Sequence, residues 1–190
     1  MEKTRILFTG DSITDVYRTD VVKAMDGWLD PALSPQDRQV SINSVLGMGY
    51  PLLVAAQLSS EKPGRYEFLN RGISGNRVVD LDARVKADCI NLRPDVISIM
   101  IGVNDVWHEL GDHNGVDAPK FHRVYQGMLQ EITQALPKVK LIPVSYTHLT
   151  YPFLLPRGPW PPLMTIITAW PKKHNVPKKP SSFSIFFTKP

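Results

Sequence analysis

The sequence predicts an α/β protein with a parallel sheet, and two patterns carry this prediction. Apolar runs typical of strands alternate with stretches of helical periodicity from the start of the chain to about residue 144. One of these runs, DVISIMIG at residues 95–102, is apolar almost without interruption and rich in β-branched side chains. Such a strand is typical of a sheet that helices cover on both faces, in which crossover helices join parallel strands.

Four strands are predicted, at residues 5–9, 66–69, 95–102 and 140–144. Residues 20–46 lack a clear period and are expected to form a long loop with some helix. At 190 residues the chain is long enough for one domain with a core and too short for two comfortable ones.

Three helices are predicted between the strands. Pro51 suits the first turn of a helix over residues 52–58. Residues 78–92 place apolar side chains at helical spacing, and Asp80 and Arg84 are expected to pair on another face of that helix. The third helix is capped by Asp117 and carries an apolar stripe made of Phe121, Val124, Tyr125, Met128, Leu129, Ile132 and Leu136.

The charges divide the chain at about residue 144. Residues 1–144 contain 16 Lys and Arg and 18 Asp and Glu, whereas residues 145–190 contain 6 basic residues and no acid. Prolines are concentrated in the second part, where no helical or strand period is visible. We therefore predict an α/β domain at 1–144, incomplete at its C-terminal end, and an atypical basic tail at 145–190 that is not native domain sequence. An authentic divergent tail is the alternative.

The composition disfavours several classes of protein. The first apolar run stops at Gly10, too early for the core of a signal peptide, and no stretch is long enough to span a membrane. The single cysteine, Cys89, excludes an internal disulfide, and its place on an apolar helical stripe favours a core role. We expect a cytoplasmic protein with no metal, no cofactor, no membrane partner and no nucleic-acid partner, the basic tail being solvated.

Three predicted strands end in residues that suit acyl transfer. The first strand runs into Gly10-Asp11-Ser12, the second into a loop with Gly75, and the third into Asn104. Sites in open parallel sheets form outside the carboxyl ends of the strands, so the three segments should share one rim. Ser12 would attack an ester carbonyl, and N–H groups of Ser12, Gly75 and Asn104 would bind the oxyanion. Taken singly, each signal fits a helix cap or a turn glycine, and only their combination indicates a site.

The same residues resemble a known family. FTGDSITD, NRGISGNRVVDL and ISIMIGVNDVW are similar to the first three sequence blocks of the SGNH hydrolases, also called GDSL-type lipases or esterases, over about residues 4–144. The resemblance implies a flavodoxin-like three-layer α/β/α sandwich. It also implies that Ser12 is the nucleophile, that the Ser12 N–H, Gly75 and Asn104 form the oxyanion hole, and that short acyl esters are hydrolysed without a metal.

One element of that family is not found in this sequence. Its members carry an Asp-x-x-His near the C-terminus, which supplies the catalytic base and its carboxylate. His148 and His174 have no acid near them in the sequence and are interpreted as incidental. Asp105 and His108 do form an Asp-x-x-His, but they belong to the third block, where little room is left for His108 to reach Ser12. We therefore do not interpret this pair as the catalytic dyad.

The sequence leaves two functions open. The first is a serine esterase of a small-molecule ester, with acetylated sugars as candidate substrates. Tyr17, Trp28 and Trp107 could stack on a sugar or equally pack in the core. The second is a catalytically impaired relative that binds a carbohydrate or an anion at the same rim. A nucleotide site is disfavoured, because the chain has neither a Gly-x-Gly-x-x-Gly nor a P-loop lysine.

Overall fold

The computed structural model describes residues 3–26, 29–35, 38, 42 and 45–144. These described residues form four strands: β1 at Thr4–Gly10, β2 at Tyr66–Gly72, β3 at Val96–Met100 and β4 at Lys140–Pro143. All neighbouring strands are parallel, and the order across the sheet is β2-β1-β3-β4. This is the order of the first four strands of a flavodoxin-like doubly wound sheet. The predicted α/β fold class with a parallel sheet is confirmed.

Helices connect the strands in three groups. The described helices between β1 and β2 are α1 (Ser12–Asp15), α2 (Arg18–Asp26) and α3 (Tyr50–Glu61). Between β2 and β3 lie α4 (Val78–Ala83), α5 (Val85–Asp88) and a 3₁₀ turn (Ile90–Leu92). Between β3 and β4 lie α6 (Val103–Asp112) and α7 (Ala118–Ala135). The chain reverses its direction across the sheet after β2, so right-handed crossovers place α1–α3 on one face and α4–α7 on the other.

Strand side chains alternate between these two faces. Phe8 points toward α3, where its ring meets Tyr50 edge-on with 5.6 Å between the ring centroids. Leu7, one residue earlier, therefore points to the other face, together with its register partners Leu69 and Ile97. This is the face on which the right-handed crossovers place α4–α7, and α4 and α5 contact α7 there. Its most deeply buried helical side chains are Val78, Leu81, Met128 and Ile132.

Helix α7 confirms the prediction made for it. The Asp117 side chain caps the helix by accepting a hydrogen bond from the N–H of Lys120 at 2.9 Å. The buried members of the predicted stripe are Phe121, Met128, Leu129 and Ile132.

The prediction of a single helix over residues 78–92 is wrong. Arg84, with φ −114° and ψ 5°, interrupts it between α4 and α5. The Asp80/Arg84 pair is wrong as well, because Asp80 pairs with Arg77 at 2.9 Å and Arg84 pairs with Asp88 at 3.0 Å. Apolar periodicity shows only which side of a segment is buried, and the buried residues on either side of the break keep that period: Val78, Leu81, Val85 and Cys89.

Several predictions concern residues that the structure does not describe. The basic tail at 145–190, with His148 and His174, lies outside the described ranges, and so does Trp28. Helix α2 begins at Arg18 and occupies the start of the segment predicted as a long loop. Within the described ranges, every helix is too short or too polar to cross a membrane.

Candidate active site

Ser12 lies where β1 turns sharply into α1. Gly10 ends the strand so close to the carbonyl oxygen of Met100 that a Cβ at this position would collide with it. Asp11 is the N-cap of α1, and its carboxylate accepts a hydrogen bond from the N–H of Ile13 at 3.0 Å. Asp11 is completely buried, whereas Ser12 is exposed. The capping role considered from the sequence therefore belongs to Asp11, and the Ser12 side chain stays accessible at the edge of the sheet.

The loop after β2, residues 73–77, lies directly against this turn. The N–H of Ile73 donates to the carbonyl of Gly10 at 3.1 Å, and the hydroxyl of Ser74 donates to the Asp15 carboxylate at 2.7 Å. Gly75 has a φ of +82°, and a Cβ built on it would meet no heavy atom within 4 Å. Glycine suits this left-handed backbone, and the position faces open space from which a ligand can approach the main chain.

Asn104 is the second residue of α6 and contacts the same loop. Its Nδ2 donates to the carbonyl of Asn76 at 3.0 Å. A carbonyl oxygen only accepts hydrogen bonds, so this contact fixes which end of the Asn104 amide faces Asn76. An amide nitrogen carries two hydrogens, and the second N–H of Asn104 remains for another acceptor.

The three segments bring unused donors to one edge of the sheet. Among the residues that the structure describes, none accepts a hydrogen bond from the backbone N–H of Ser12 or from that of Gly75. The Asn104 amide adds a side-chain donor. Preorganised N–H groups of this kind can stabilise the oxyanion of acyl transfer.

Asp105, directly after Asn104, has a structural role in this edge. Its carboxylate is 2 % exposed and accepts hydrogen bonds from the N–H of Val78 at 3.0 and 3.1 Å, through its two oxygens. Val78 begins α4, so Asp105 caps that helix and fixes the end of the 73–77 loop to the start of α6. Burial raises the pKa of Asp105 to about 6, because the hydrogen bonds from Val78 offset only part of the desolvation.

The histidines inside the described ranges make no hydrogen bond to Ser12. The Asp105 carboxylate accepts its hydrogen bonds from the N–H of Val78, and no hydrogen bond joins it to His108 among the described residues. This supports the interpretation that Asp105 and His108 are not the catalytic dyad.

Asp15 is a residue of the edge that the sequence interpretation missed. It is 2 % exposed and accepts hydrogen bonds from Ser74 and from Thr19, and the Arg18 Nε lies 3.5 Å from its Oδ1. Burial opposes ionisation, but these hydrogen bonds and the charge of Arg18 hold the pKa of Asp15 below its usual value. Its only signal in the sequence is its place three residues after Ser12.

Asn70 of β2 was missed too. Its Nδ2 donates to the carbonyls of Thr14 and Leu46, each at 2.7 Å, and its Oδ1 accepts from the N–H of Gly72 at 2.8 Å. This completely buried side chain therefore joins the end of β2 to the helix that begins with Ser12. The available signal was a polar residue directly after the predicted strand at residues 66–69.

Two further features bear on the chemistry. Within the described ranges, no three or more His, Cys, Asp or Glu side chains come together in a group that could hold a metal ion. Burial raises the pKa of the Cys89 thiol to about 11, and its side chain is completely buried. Cys89 is therefore a core residue, as the sequence indicated, and not a reactive thiol.

The fold and the edge define a class of protein: a doubly wound α/β domain with a serine and several N–H donors at the carboxyl ends of its parallel strands. The sequence profile of the GDSL-like lipase/acylhydrolase family matches residues 8–175. The chain belongs to this family, which confirms the resemblance seen in the three sequence blocks.

Individual relatives support the assignment. The chain is 39% identical to an acetylxylan esterase from Geobacillus stearothermophilus over 106 residues, 55% of this chain and 41% of that one. The solved structure of an acetylxylan esterase from the same organism shares 30% identity and a TM-score of 0.56, over 74% of this chain and 58% of that one. A Parabacteroides merdae protein assigned to the GDSL-like lipases shares 32% identity and a TM-score of 0.59, over 75% and 59% of the two chains.

The aligned region is only part of these relatives, at 41% of the curated esterase and about 60% of the solved chains. Two solved variants of the Geobacillus esterase, in which a serine and a histidine are each replaced by alanine, are described as catalytic mutants.

Proposed function

We propose that this protein is a serine esterase that hydrolyses short acyl esters, with acetylated sugars as its substrates. One observation carries the proposal above all others: the Ser12 turn, the loop with Gly75 and the start of α6 with Asn104 are held together by direct hydrogen bonds. The carbonyl of Gly10 accepts a hydrogen bond from the N–H of Ile73, and the carbonyl of Asn76 accepts one from the side-chain amide of Asn104. An exposed hydroxyl and three N–H donors therefore share one edge of the sheet.

In the proposed reaction the Ser12 Oγ attacks the ester carbonyl and its proton passes to a base. The carbonyl oxygen becomes an oxyanion, and the N–H groups of Ser12, Gly75 and Asn104 stabilise it. The tetrahedral intermediate then expels the alcohol, which takes up a proton, and leaves an acylated Ser12. Water hydrolyses this acyl-enzyme and releases the acid. We assign no described residue to the role of the base.

The substrate class rests on the relatives and on two exposed aromatic side chains. Two of the relatives described above are acetylxylan esterases. Trp107 lies one turn of α6 beyond Asn104 and is 56% exposed, and Tyr17, five residues after Ser12, is 63% exposed. The alternative of core packing is therefore wrong for both residues, and an exposed aromatic face is well suited to a sugar ring.

The proposal is tested with p-nitrophenyl acetate and with acetylated xylooligosaccharides. We expect Ser12→Ala to lower kcat/KM by roughly 10³-fold or more, because removal of the nucleophile leaves only binding and oxyanion stabilisation. Ser60→Ala, at an exposed serine of α3, is the matched control and should keep the wild-type rate. Equal rates for the two variants would show that Ser12 is not the nucleophile.

A second candidate function is supported by the lack of a hydrogen bond between Ser12 and any described histidine. In that case the edge binds an acetylated sugar without turnover. Acetylated xylooligosaccharide would then raise the Tm of the full chain, while a fluorophosphonate would fail to label Ser12. If the fluorophosphonate labels the wild-type chain but not Ser12→Ala, the result supports the esterase function.

A further inference from the structure

Arg84 is the residue at which the predicted helix 78–92 breaks, and its side chain has an unusual set of partners. Its side chain is 15% exposed, and its guanidinium makes four hydrogen bonds. Nε donates to the Asn76 Oδ1 at 2.7 Å, and Nη2 donates to the carbonyl of Gly10 at 3.1 Å. Nη1 donates to the carbonyl of Arg71 at 2.8 Å and to the Asp88 Oδ2 at 3.0 Å.

Three of these four acceptors belong to the candidate active site. Gly10 is the end of β1, two residues before Ser12. Arg71 is the second-last residue of β2, two residues before the loop that contains Gly75. Asn76 is the neighbour of Gly75 in that loop. One side chain therefore joins the ends of two strands to the segment that carries a proposed oxyanion donor.

Asn76 extends this connection to the third strand. Its side-chain oxygen accepts from Arg84, while its backbone carbonyl accepts from the Asn104 amide. A rotation of Asn76 would therefore disturb both the peptide next to Gly75 and the partner that orients Asn104. The Arg84 contact opposes such a rotation.

A lysine cannot reproduce this arrangement. The guanidinium is a rigid planar fork whose donors point in fixed, divergent directions, whereas an ammonium is a point charge with three donors on a flexible stem. Asp88 is shared between Arg84 and Arg71, at 3.0 and 3.8 Å. A lysine at position 84 would keep the positive charge beside Asp88 and lose the divergent hydrogen bonds, so Arg84→Lys separates the direction of the hydrogen bonds from the charge.

We propose that Arg84 is a positioning residue of the active site, which holds the 73–77 loop and, through Asn76, the Asn104 amide in the geometry that binds the oxyanion. This inference rests on the proposed esterase function. Arg84 is not assigned any contact with the substrate.

The kinetic test compares Arg84→Lys with Arg5→Lys. Arg5 also pairs with a carboxylate, that of Glu67 at 2.9 Å, but it lies at the opposite end of β1. For Arg84→Lys we expect kcat to fall about 10- to 100-fold with KM changed by less than about 2-fold, because misplaced oxyanion donors affect the transition state more than the bound substrate. Arg5→Lys should keep kcat.

Hydrogen exchange on the full chain separates positioning from general destabilisation. In Arg84→Lys we expect faster amide exchange in residues 73–77, while exchange in α7 stays as in wild type. Faster exchange everywhere, or unchanged exchange in the loop, would overturn the inference. A wild-type kcat in Arg84→Lys would overturn it too, and if Ser12→Ala were still inactive the proposed esterase function would stand without it.

Discussion

The sheet face under α4–α7 and the edge at the carboxyl ends of the strands are built in different ways. On the face, apolar side chains such as Leu81 and Ile132 pack with no exposed area. At the edge, segments far apart in sequence are joined by hydrogen bonds, as between Val78 and Asp105. The packing of the face is thus set by the volumes and the helical spacing of apolar side chains. The geometry of the edge is set by the directions of individual hydrogen bonds.

The two regions also contribute differently to stability. Burying apolar area on the face stabilises the fold in proportion to that area. The edge instead buries ionisable groups, among them Asp15, Arg18 and Asp105. Burying such groups is costly unless they are hydrogen-bonded or paired. We therefore expect substitutions of apolar side chains on the face to change stability, and substitutions of the proposed oxyanion donors at the edge to change activity.

The largest effect on stability is expected from Ile132→Ala on the face. Ile132 has no exposed area, and truncation of such a side chain removes apolar contacts and leaves a cavity. The free energy of unfolding should fall by about 4 kcal/mol, as measured by urea denaturation. The kcat of the remaining folded protein should stay within about 2-fold of wild type. A larger loss of kcat would show that the face and the edge are coupled.

Asn104→Ala at the edge should give the opposite result. Loss of one oxyanion donor typically lowers kcat by about 10²- to 10³-fold, equivalent to roughly 3 to 4 kcal/mol in the barrier. Stability should change by only about 1 kcal/mol, the usual size of one lost hydrogen bond. Asn91→Ala, at an exposed asparagine of the 3₁₀ turn, is the control for both measurements. Wild-type kcat in Asn104→Ala would remove Asn104 from the proposed oxyanion hole.

The same contrast explains how much could be predicted from the sequence. Helix α7 was predicted with its cap and its stripe, because the spacing of apolar residues is written locally. The position of Ser12, Gly75 and Asn104 at the edge was also predicted, since each follows a predicted strand. Their partners were not found. A hydrogen bond such as that between Arg84 and Gly10 joins residues 74 positions apart, and no local pattern encodes it.

The break at Arg84 illustrates the limit in another way. Periodicity predicted one helix, because the buried side chains keep their spacing through the break. The side chain of Arg84 is bonded to two strand ends and a loop, which are contacts available only in the folded sheet. A charged residue in a helical segment suggests a surface ion pair, and only the structure shows that Arg84 contacts the ends of β1 and β2 and the 73–77 loop.

Asp105→Asn tests the cost of burying a carboxyl group in the edge. The pKa of Asp105 is raised by burial from 3.8 to about 6, so between about pH 4 and pH 6 the folded chain keeps a proton that the unfolded chain has lost. The contribution of Asp105 to stability must therefore decrease as the pH rises through this window and stay constant above it. The total decrease is at most about 3 kcal/mol, since one pKa unit corresponds to about 1.4 kcal/mol.

Asparagine has nearly the same shape and keeps one oxygen for the N–H of Val78, but it does not titrate. Urea denaturation of both proteins at pH 4, 5, 6 and 7 should thus show the stability of wild type relative to Asp105→Asn falling by up to about 3 kcal/mol, with most of the change complete by pH 6. All other carboxyl groups are common to the two chains, so their titration cancels in the difference. Parallel stability curves would mean that Asp105 ionises as readily in the folded protein as in the unfolded chain. Burial of the Asp105 carboxylate would then carry no desolvation cost. At this residue the edge would not differ from the apolar face in the free energy of burial.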